Sequence, residues 1–353
     1  MIKNAGPVKL LDALGYGDAY IHHDASVNLT AIIALHNTQL GSAIGGCRCL
    51  TYQDFDAALN DALKLGHAMT LKAAIHSLAH GGGKAVILAP EHIEDRGAFF
   101  ARFGRFVNQL SGQYITAVDS GTTQDDMEFI AQETEYVLAS SKFNTPCNPS
   151  YYTALGVIKA IQGAALYCFG HDDLSTLKIA VQGLGQVGMY LCEKLIALGA
   201  QLVVTDTNTQ QIDQVCERFE VDVVNAEEIY AMPVDVFSPC ALGGILNHDT
   251  CQKIQAKIIA GSANNQCETL FETSMLLNQK GIIYIPDYLS NGGGLIHVAG
   301  LYARHSEAWM LEKINHIKHT TQNLLLEAEK NDQSMEQIAY DLALHALLPT
   351  TAR

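Results

Sequence analysis

Only 8 prolines, one tryptophan and 22 basic side chains are spread through these 353 residues. With 48% hydrophobic and 17% charged residues, so little proline excludes a linker or low-complexity tail, and there is enough apolar side chain for a sizeable core. The 22 basic residues against 37 acidic ones leave a net charge of −15. That balance argues against a phosphate backbone or an anionic membrane surface as partner, so no nucleic acid is expected. Also missing are a basic leader running into an apolar stretch and any segment of ~18 apolar residues, so no membrane span is expected. The nine cysteines include no CxxC pair, and the closest two, Cys47 and Cys49, read as separate thiols on opposite faces of a strand. A reducing cytoplasm suits that usage. His76 and His80 are spaced i, i+4 without an acidic third ligand, so no metal is expected.

The length favours two domains. Ala31–Leu35 reads as a buried strand, and Phe55, Leu59, Leu63, Gly66, Thr70 and Ala73 recur at three- and four-residue spacing, which predicts a helix over 54–77. Gly81, Gly82 and Gly83 interrupt regular structure before a short strand, 84–88, and a helix near 97–110 and a strand over 114–118 follow. Residues 141–150 hold two prolines among small polar residues, the composition of a linker. Beyond them strands at 178–181, 201–205, 234–237, 257–260 and 281–285 alternate with helices, which implies a parallel sheet covered on both faces. Residues 306–348 read as helical, with Leu324, Leu325 and Ile338 in the core. The expectation is an α/β protein of two domains with a cleft between them. Residues 1–148, completed by C-terminal helices over 319–353, form an α/β substrate domain, and 149–318 form a doubly wound Rossmann-type domain.

The most specific local signal is Gly183-Leu184-Gly185-Gln186-Val187-Gly188, which follows the strand Ile179–Val181 and opens a helix. A pyrophosphate could approach the backbone at the first two glycines and be favoured at the helix N-terminus, while Asp206, 21 residues after Gly185, could accept from a ribose 2′-hydroxyl and repel a 2′-phosphate. NAD is the cofactor that this pattern predicts. A bare glycine pattern can serve helix packing alone, but the strand, the helix and the acidic residue together favour the nucleotide.

In the first domain Lys72 ends an apolar helix and Lys84 heads a buried strand, positions usually held by apolar residues. Each alone could be a snorkelling surface lysine. Together, across a glycine loop, they could converge on one pocket, where each cation lowers the other's proton affinity and leaves one amine as a base. Asp119 fits equally a turn before Ser120-Gly121 and a site residue at a strand's carboxyl end. Cys240 fits a small buried hydrophobe as well as a site residue.

Leu40–Arg48, Met69–Lys72, Gly81–Lys84, Thr116–Asp119, Pro239–Gly244 and Asn291–Gly294 resemble the motifs of the Glu/Leu/Phe/Val amino-acid dehydrogenase family, in order and spacing along nearly the whole chain. The resemblance implies NAD-dependent, reversible oxidative deamination of an L-amino acid to a 2-oxo acid and ammonia. It implies that Lys72 holds the substrate carboxylate, that Lys84 activates water as general base, and that Asp119 moves protons to and from the amine. Gly45 and Gly46 would let backbone approach the carboxylate. Asn265 and Asn291 would contact substrate and nicotinamide, Thr153 would help to hold the nicotinamide, and Cys240 and Ala241 would line the cofactor ribose. A homo-oligomer is also expected. A pure nucleotide sensor on the same fold is the reading from another class, and it has no need of a lysine base.

For the substrate, glutamate enzymes of this family carry a lysine just before the paired glycines, where this chain has Ile44. An uncompensated carboxylate there would cost several kcal/mol, so glutamate is disfavoured. Ile44 with Ala117 suggests an aliphatic pocket for leucine, valine or isoleucine. Ile296-His297-Val298-Ala299-Gly300 resembles phenylalanine dehydrogenases instead, which keeps an aromatic substrate as the alternative. Gly292 stands where the family usually has alanine, and Cys147 stands in the linker, where its thiol could be open to oxidation.

Overall fold

The computed structural model describes residues 11, 14–16, 18–139, 141, 148–241 and 243–347. The chain divides into two compact units, Met1–Cys147 with Leu301–Ala303 and Ala346–Arg353, and Asn148–Gly300 with Arg304–His345. Cys147 and most of the 141–150 segment lie outside the described residues.

The first unit is built on five strands, β1 (Asp18–Asp24), β2 (Leu29–Asn37), β3 (Ala43–Leu50), β4 (Gly81–Leu88) and β5 (Tyr114–Val118), in spatial order β1-β2-β4-β3-β5. β2 is antiparallel to β1 and β4, whereas β3 is parallel to β4 and β5. β2 is apolar and buried from Ala31 to Leu35 because both faces are covered there. Ile32 and Ala34 meet Ala58, Ala62 and Leu63 of helix α1 (Phe55–Ile75), while Ile33 and Leu35 face Phe99, Phe100 and Phe103 of α2 (Arg96–Gln109). α1 starts at Asp54, whose carboxylate accepts from the Ala57 amide at 2.8 Å. It ends at Ile75, so His76 and His80 do not share a helical face. α3 (Gln124–Ala131) follows β5.

Two local expectations fail here, the first for a steric reason and the second because of strand periodicity. Gly81, Gly82 and Gly83 do not interrupt regular structure; they open β4. A Cβ on Gly81 would stand 1.9 Å from the Asn37 carbonyl oxygen and one on Gly82 would stand 2.0 Å from the Thr70 nitrogen, so the glycines bring strand and helix backbones into close contact. Cys47 and Cys49 are both free and lie in one core cluster, because a strand's period of two puts i and i+2 on the same face.

The second unit opens with α4 (Pro149–Phe169). Strands β6 (Lys178–Gln182), β7 (Gln201–Thr205), β8 (Asp222–Val223), β9 (Val236–Pro239), β10 (Ile258–Ile259) and β11 (Ile283–Tyr284) then form one sheet, ordered β11-β10-β9-β6-β7-β8, in which every pairing is parallel. Helices α5 (Gln186–Ala197), α6 (Thr209–Arg218), α7 (His248–Lys253) and α8 (Leu270–Gln279) connect the strands, so the sheet is doubly wound. The strand order reverses between β6 and β9, whose last paired residues are Gln182 and Pro239. The short α9 (Asp287–Ser290) and α10 (Gly293–Tyr302) lead to α11 (Glu307–Asn331) and α12 (Met335–Ala346).

α4 corrects the expectation of no spanning segment, since its 21 residues are long and apolar enough to cross a bilayer by length and composition. Its Ala154, Val157, Ala160, Ile161 and Ala164 are fully buried within the fold. The C-terminal helices also depart from expectation, because α11 and α12 through His345 belong with the nucleotide-type unit and do not complete the first one. α11 lies against α4, where a Cβ on Gly163 would be 2.5 Å from the Lys318 carbonyl oxygen. Lys318 pairs with Asp172, Tyr152 donates to Glu307 at 3.0 Å, and Leu324 and Leu325 are buried. α12 is anchored by buried Glu336, which accepts from the Tyr288 hydroxyl at 2.9 Å.

Burial pushes the Glu336 carboxyl up to about 8 against the pull of the Tyr288 hydroxyl bond. A carboxyl raised in the fold adds stability that is fully present below its unfolded value, ~4.3, and is lost as pH rises through about 8. Thermal unfolding between pH 5 and 9 should therefore show a falling midpoint that Glu336→Gln flattens, and an unchanged slope in that variant would contradict the assignment.

Candidate active site

Three neighbouring strands of the first unit place the chemistry. Lys84 projects from β4, Gly45 and Gly46 lie on β3, and Asp119 follows the last residue of β5; the register sets Cys47 beside Ala85 and Gly46 beside Ala117. Lys84 Nζ and Asp119 Oδ2 form an ion pair in which the lysine is buried and the carboxylate 18% exposed. The paired glycines have a reason within the chain itself. A Cβ on Gly45 would be 1.9 Å from the Gly83 carbonyl oxygen, and one on Gly46 would be 2.7 Å from Asp119 Cβ. The Asp119 side chain therefore leans over Gly46 to reach Lys84.

The surrounding hydrogen bonds hold this arrangement in place. Tyr114 donates to the Gly45 carbonyl at 2.6 Å, Thr122 donates to the Cys47 carbonyl at 3.0 Å, and the Ser120 amide donates to Asp119 Oδ1 at 2.6 Å. Burial pushes the Asp119 carboxyl up, but the Lys84 and Arg48 cations outweigh it and hold the group at about 2. Asp119 is therefore a carboxylate throughout the neutral range. Lys72 is buried in the last turn of α1, two residues after Thr70, which touches Gly82 of β4. Ile44 and Ala117 are buried. Arg48, Tyr114 and Thr122 are the residues that sequence reasoning missed, and only Arg48 left a trace there, as the charged member of the Gly45-Gly46-Cys47-Arg48 motif.

In the second unit each glycine of the loop after β6 answers a different demand. Gly183 has φ +98°, and a Cβ there would strike the Ala241 nitrogen at 2.6 Å. Gly188 packs on Gly183, where a Cβ would meet the carbonyl oxygen at 2.0 Å. Gly185 is the N-cap of α5, with no side chain capping that helix and open space where its Cβ would be. Uncapped amides facing a glycine-cleared space fit a pyrophosphate. Asp206 follows β7 and accepts from the Leu184 amide at 2.6 Å and the Asn208 amide at 2.8 Å, which ties the glycine loop down; an ionised carboxylate retains further acceptor capacity for a ribose diol. Gln186 accepts from Ser150, and Val187 follows it in the first turn of α5. Cys240 and Ala241 follow β9 across the switch point, and burial raises the Cys240 thiol, which suits a wall residue better than a nucleophile. Leu242 lies outside the described residues.

A second group of polar residues gathers beyond β10. Asn291 Nδ2 donates to the Ser262 carbonyl at 3.1 Å and to Asn264 Oδ1 at 2.9 Å, while its own Oδ1 is buried without a partner. Asn265 sits at φ 52° with its side chain exposed, and its carbonyl accepts from the Gly244 amide. Thr153 donates back to the Pro149 carbonyl at 2.8 Å, and a Cβ on Gly294 would lie 2.4 Å from its hydroxyl. Asn265 and Asn291 thus belong to one loop system, while Thr153 is held between α4 and the start of α10. Among the described residues no cluster of His, Cys, Asp and Glu could hold a metal ion.

Comparison with known proteins extends this local picture to the whole chain. Residues 20–136 match the family model described as Glu/Leu/Phe/Val dehydrogenase, dimerisation domain, and 202–351 match Glutamate/Leucine/Phenylalanine/Valine dehydrogenase. A leucine dehydrogenase of Geobacillus stearothermophilus is 40% identical over 92% of this chain and 88% of its own. A phenylalanine dehydrogenase of Lysinibacillus sphaericus is 41% identical over 82% of this chain and 78% of its own. The crystal structure of the L-tryptophan dehydrogenase from Nostoc punctiforme has a TM-score of 0.81 and 38% identity, covering 96% of this chain and 98% of that one. The lysine–aspartate pair over paired glycines, the doubly wound sheet and these matches together place the chain in the Glu/Leu/Phe/Val dehydrogenase family, as an amino-acid dehydrogenase.

Proposed function

We propose that this protein catalyses the reversible oxidative deamination of a branched-chain aliphatic L-amino acid, leucine, valine or isoleucine, to the 2-oxo acid and ammonia. NAD is the cofactor, and when bound it supplies the acceptor for the hydride that leaves the substrate Cα. The observation that carries the mechanism is the ion pair of Lys84 with an Asp119 held ionised over Gly46. Lys72 holds the substrate carboxylate. Asp119 takes a proton from the substrate ammonium, which frees the nitrogen lone pair to form the imine. Lys84, once deprotonated, removes a proton from water as it adds to the imine carbon, and Asp119 returns its proton to the departing amine. Asn291 and Asn265 contact substrate and nicotinamide, Thr153 steadies the nicotinamide, and Cys240 and Ala241 line the ribose.

The test is product balance. L-leucine with NAD should yield NADH, ammonia and 2-oxo acid in equal amounts, whereas a nucleotide sensor would bind NAD and yield none. The aliphatic preference rests on Ile44, a buried hydrocarbon next to the paired glycines that offers no cation to a distal carboxylate. An aromatic substrate remains the second reading, favoured by the phenylalanine and tryptophan dehydrogenases among the relatives.

Asp206 gives the cofactor prediction. Its carboxylate favours a ribose diol and repels a 2′-phosphate, so kcat/KM should be much higher with NAD than with NADP, and Asp206→Ala should weaken NAD and narrow the ratio. Equal kcat/KM for the two cofactors in the parent enzyme would contradict it. A homo-oligomer belongs to this reading, supported by the dimerisation-domain match and by edge strand β1 with Ile21 57% exposed, and light scattering that finds a monomer would count against it. So does a cytoplasmic location, which the free cysteines support.

A further inference from the structure

Arg48 has no part in the mechanism above, yet its guanidinium links the lysine–aspartate pair to a second carboxylate. Nη2 stands 3.9 Å from Asp119 Oδ1, and Nη1 donates to Asp61 Oδ2 at 3.0 Å. Tyr52 donates to the same Asp61 oxygen at 2.7 Å, and Arg48 Nε is buried without a hydrogen-bond partner. At 3.9 Å Arg48 makes no hydrogen bond to Asp119 and acts on it through charge alone. The side chains of Arg48 and Asp119 are each 18% exposed and that of Asp61 25%, so solvent screens this charge only in part.

We propose that Arg48 is a positioning residue that sets the proton affinity of the Lys84–Asp119 pair, and that Asp61, braced by Tyr52, limits how much of the Arg48 charge the pair feels. The proposal rests on the proton-shuttle reading of Asp119. Among the described residues, Lys84 from β4, Arg48 and Cys47 from β3 and Tyr114 from β5 act on that carboxylate, Lys72 of α1 is buried in the same unit, and Asp61 and Tyr52 face Arg48 from the other side. Burial raises the Cys47 thiol and the Tyr114 hydroxyl well above their ordinary values, so both stay neutral in the working range. Ion pairs run in sequence through Lys84, Asp119, Arg48 and Asp61. Removing Arg48 makes the set more negative and tightens the pair's hold on its proton. Removing Asp61 does the reverse.

The experiment is the pH dependence of kcat/KM for deamination in the parent, Arg48→Gln, Arg48→Lys and Asp61→Asn. The rising limb belongs to the pair as a unit. It should move to higher pH by about one unit in Arg48→Gln and to lower pH in Asp61→Asn, which is a roughly tenfold loss and gain at a fixed pH below the limb. Arg48→Lys, which keeps the charge, should stay near the parent. A purely structural role would lower kcat without moving the two limbs apart, and limbs that move in one direction overturn the proposal. Asp61→Asn keeps the test alive if Arg48→Gln fails to fold. A readout without substrate separates this proposal from the shuttle itself: the infrared band of protonated Asp119, identified by its loss in Asp119→Asn, should emerge at higher pH in Arg48→Gln. A band that shifts while the limbs stay fixed sinks the shuttle and leaves the Arg48 assignment standing, whereas a fixed band with fixed limbs sinks the Arg48 assignment.

Discussion

Lys84→Ala should lose kcat by orders of magnitude while NAD still binds. Lys84 is paired directly with Asp119 while Arg48 stands 3.9 Å away, and in the proposed mechanism Lys84 is the base for hydration of the imine. General-base catalysis contributes about 10²–10⁴-fold, which sets the expected loss. Lys72→Ala should behave differently, raising KM more than it lowers kcat, because the carboxylate's cation acts in the ground state and the transition state alike. Thermal unfolding of Lys84→Ala must be recorded beside the kinetics, since Asp119 would lose its ion-pair partner. A folded Lys84→Ala protein with near-parental turnover would refute the assignment.

Gly45→Ala should cost the fold rather than the chemistry. The new Cβ would stand 1.9 Å from the Gly83 carbonyl oxygen between two buried parallel strands, and neither backbone can yield without breaking its ladder. Overpacking of a flexible core costs ~1–3 kcal/mol, and a clash with fixed backbone belongs above that range. For a chain of this size that is a fall in thermal midpoint of roughly 5 °C or more. Gly185→Ala is the control, because its Cβ enters open space at the mouth of α5. It should keep the parental midpoint and weaken NAD. Similar midpoints for Gly45→Ala and Gly185→Ala would show that the close approach of β3 and β4 is not rigid.

The features that could be read from sequence were those whose cause is local. Gly183 to Gly188 and Asp206 fall at the end of consecutive strands, and the alternation of apolar strands with helices leads to the parallel sheet around them. Residues whose cause is distant were read wrongly or not at all. Gly81–Gly83 look like an interruption until Asn37 and Thr70 are seen to occupy the space their side chains would need. The helices after Glu307 carry no signal of which unit they cover, since that is decided by the fit of Lys318 and Thr321 against Gly163. Lys84 and Asp119, 35 residues apart, meet only because β3 separates their strands in the sheet. Arg48 was invisible as a functional residue because its partners, Asp61 and Asp119, lie 13 and 71 residues away.

The substrate is the central claim, and kcat/KM with NAD for leucine, valine, isoleucine, phenylalanine, tryptophan and glutamate tests it most directly. The aliphatic three should lead. Glutamate should fall behind by at least about 10²–10³-fold, since its distal carboxylate would be buried against Ile44 without a cation, at a cost of several kcal/mol. Phenylalanine should be slower by a smaller factor, because apolar fit distinguishes side chains by only ~1–3 kcal/mol, and Ile44→Gly should narrow that gap by opening volume. Phenylalanine or tryptophan in first place would contradict the aliphatic pocket, and glutamate turned over as well as leucine would contradict the charge argument from which the substrate assignment begins.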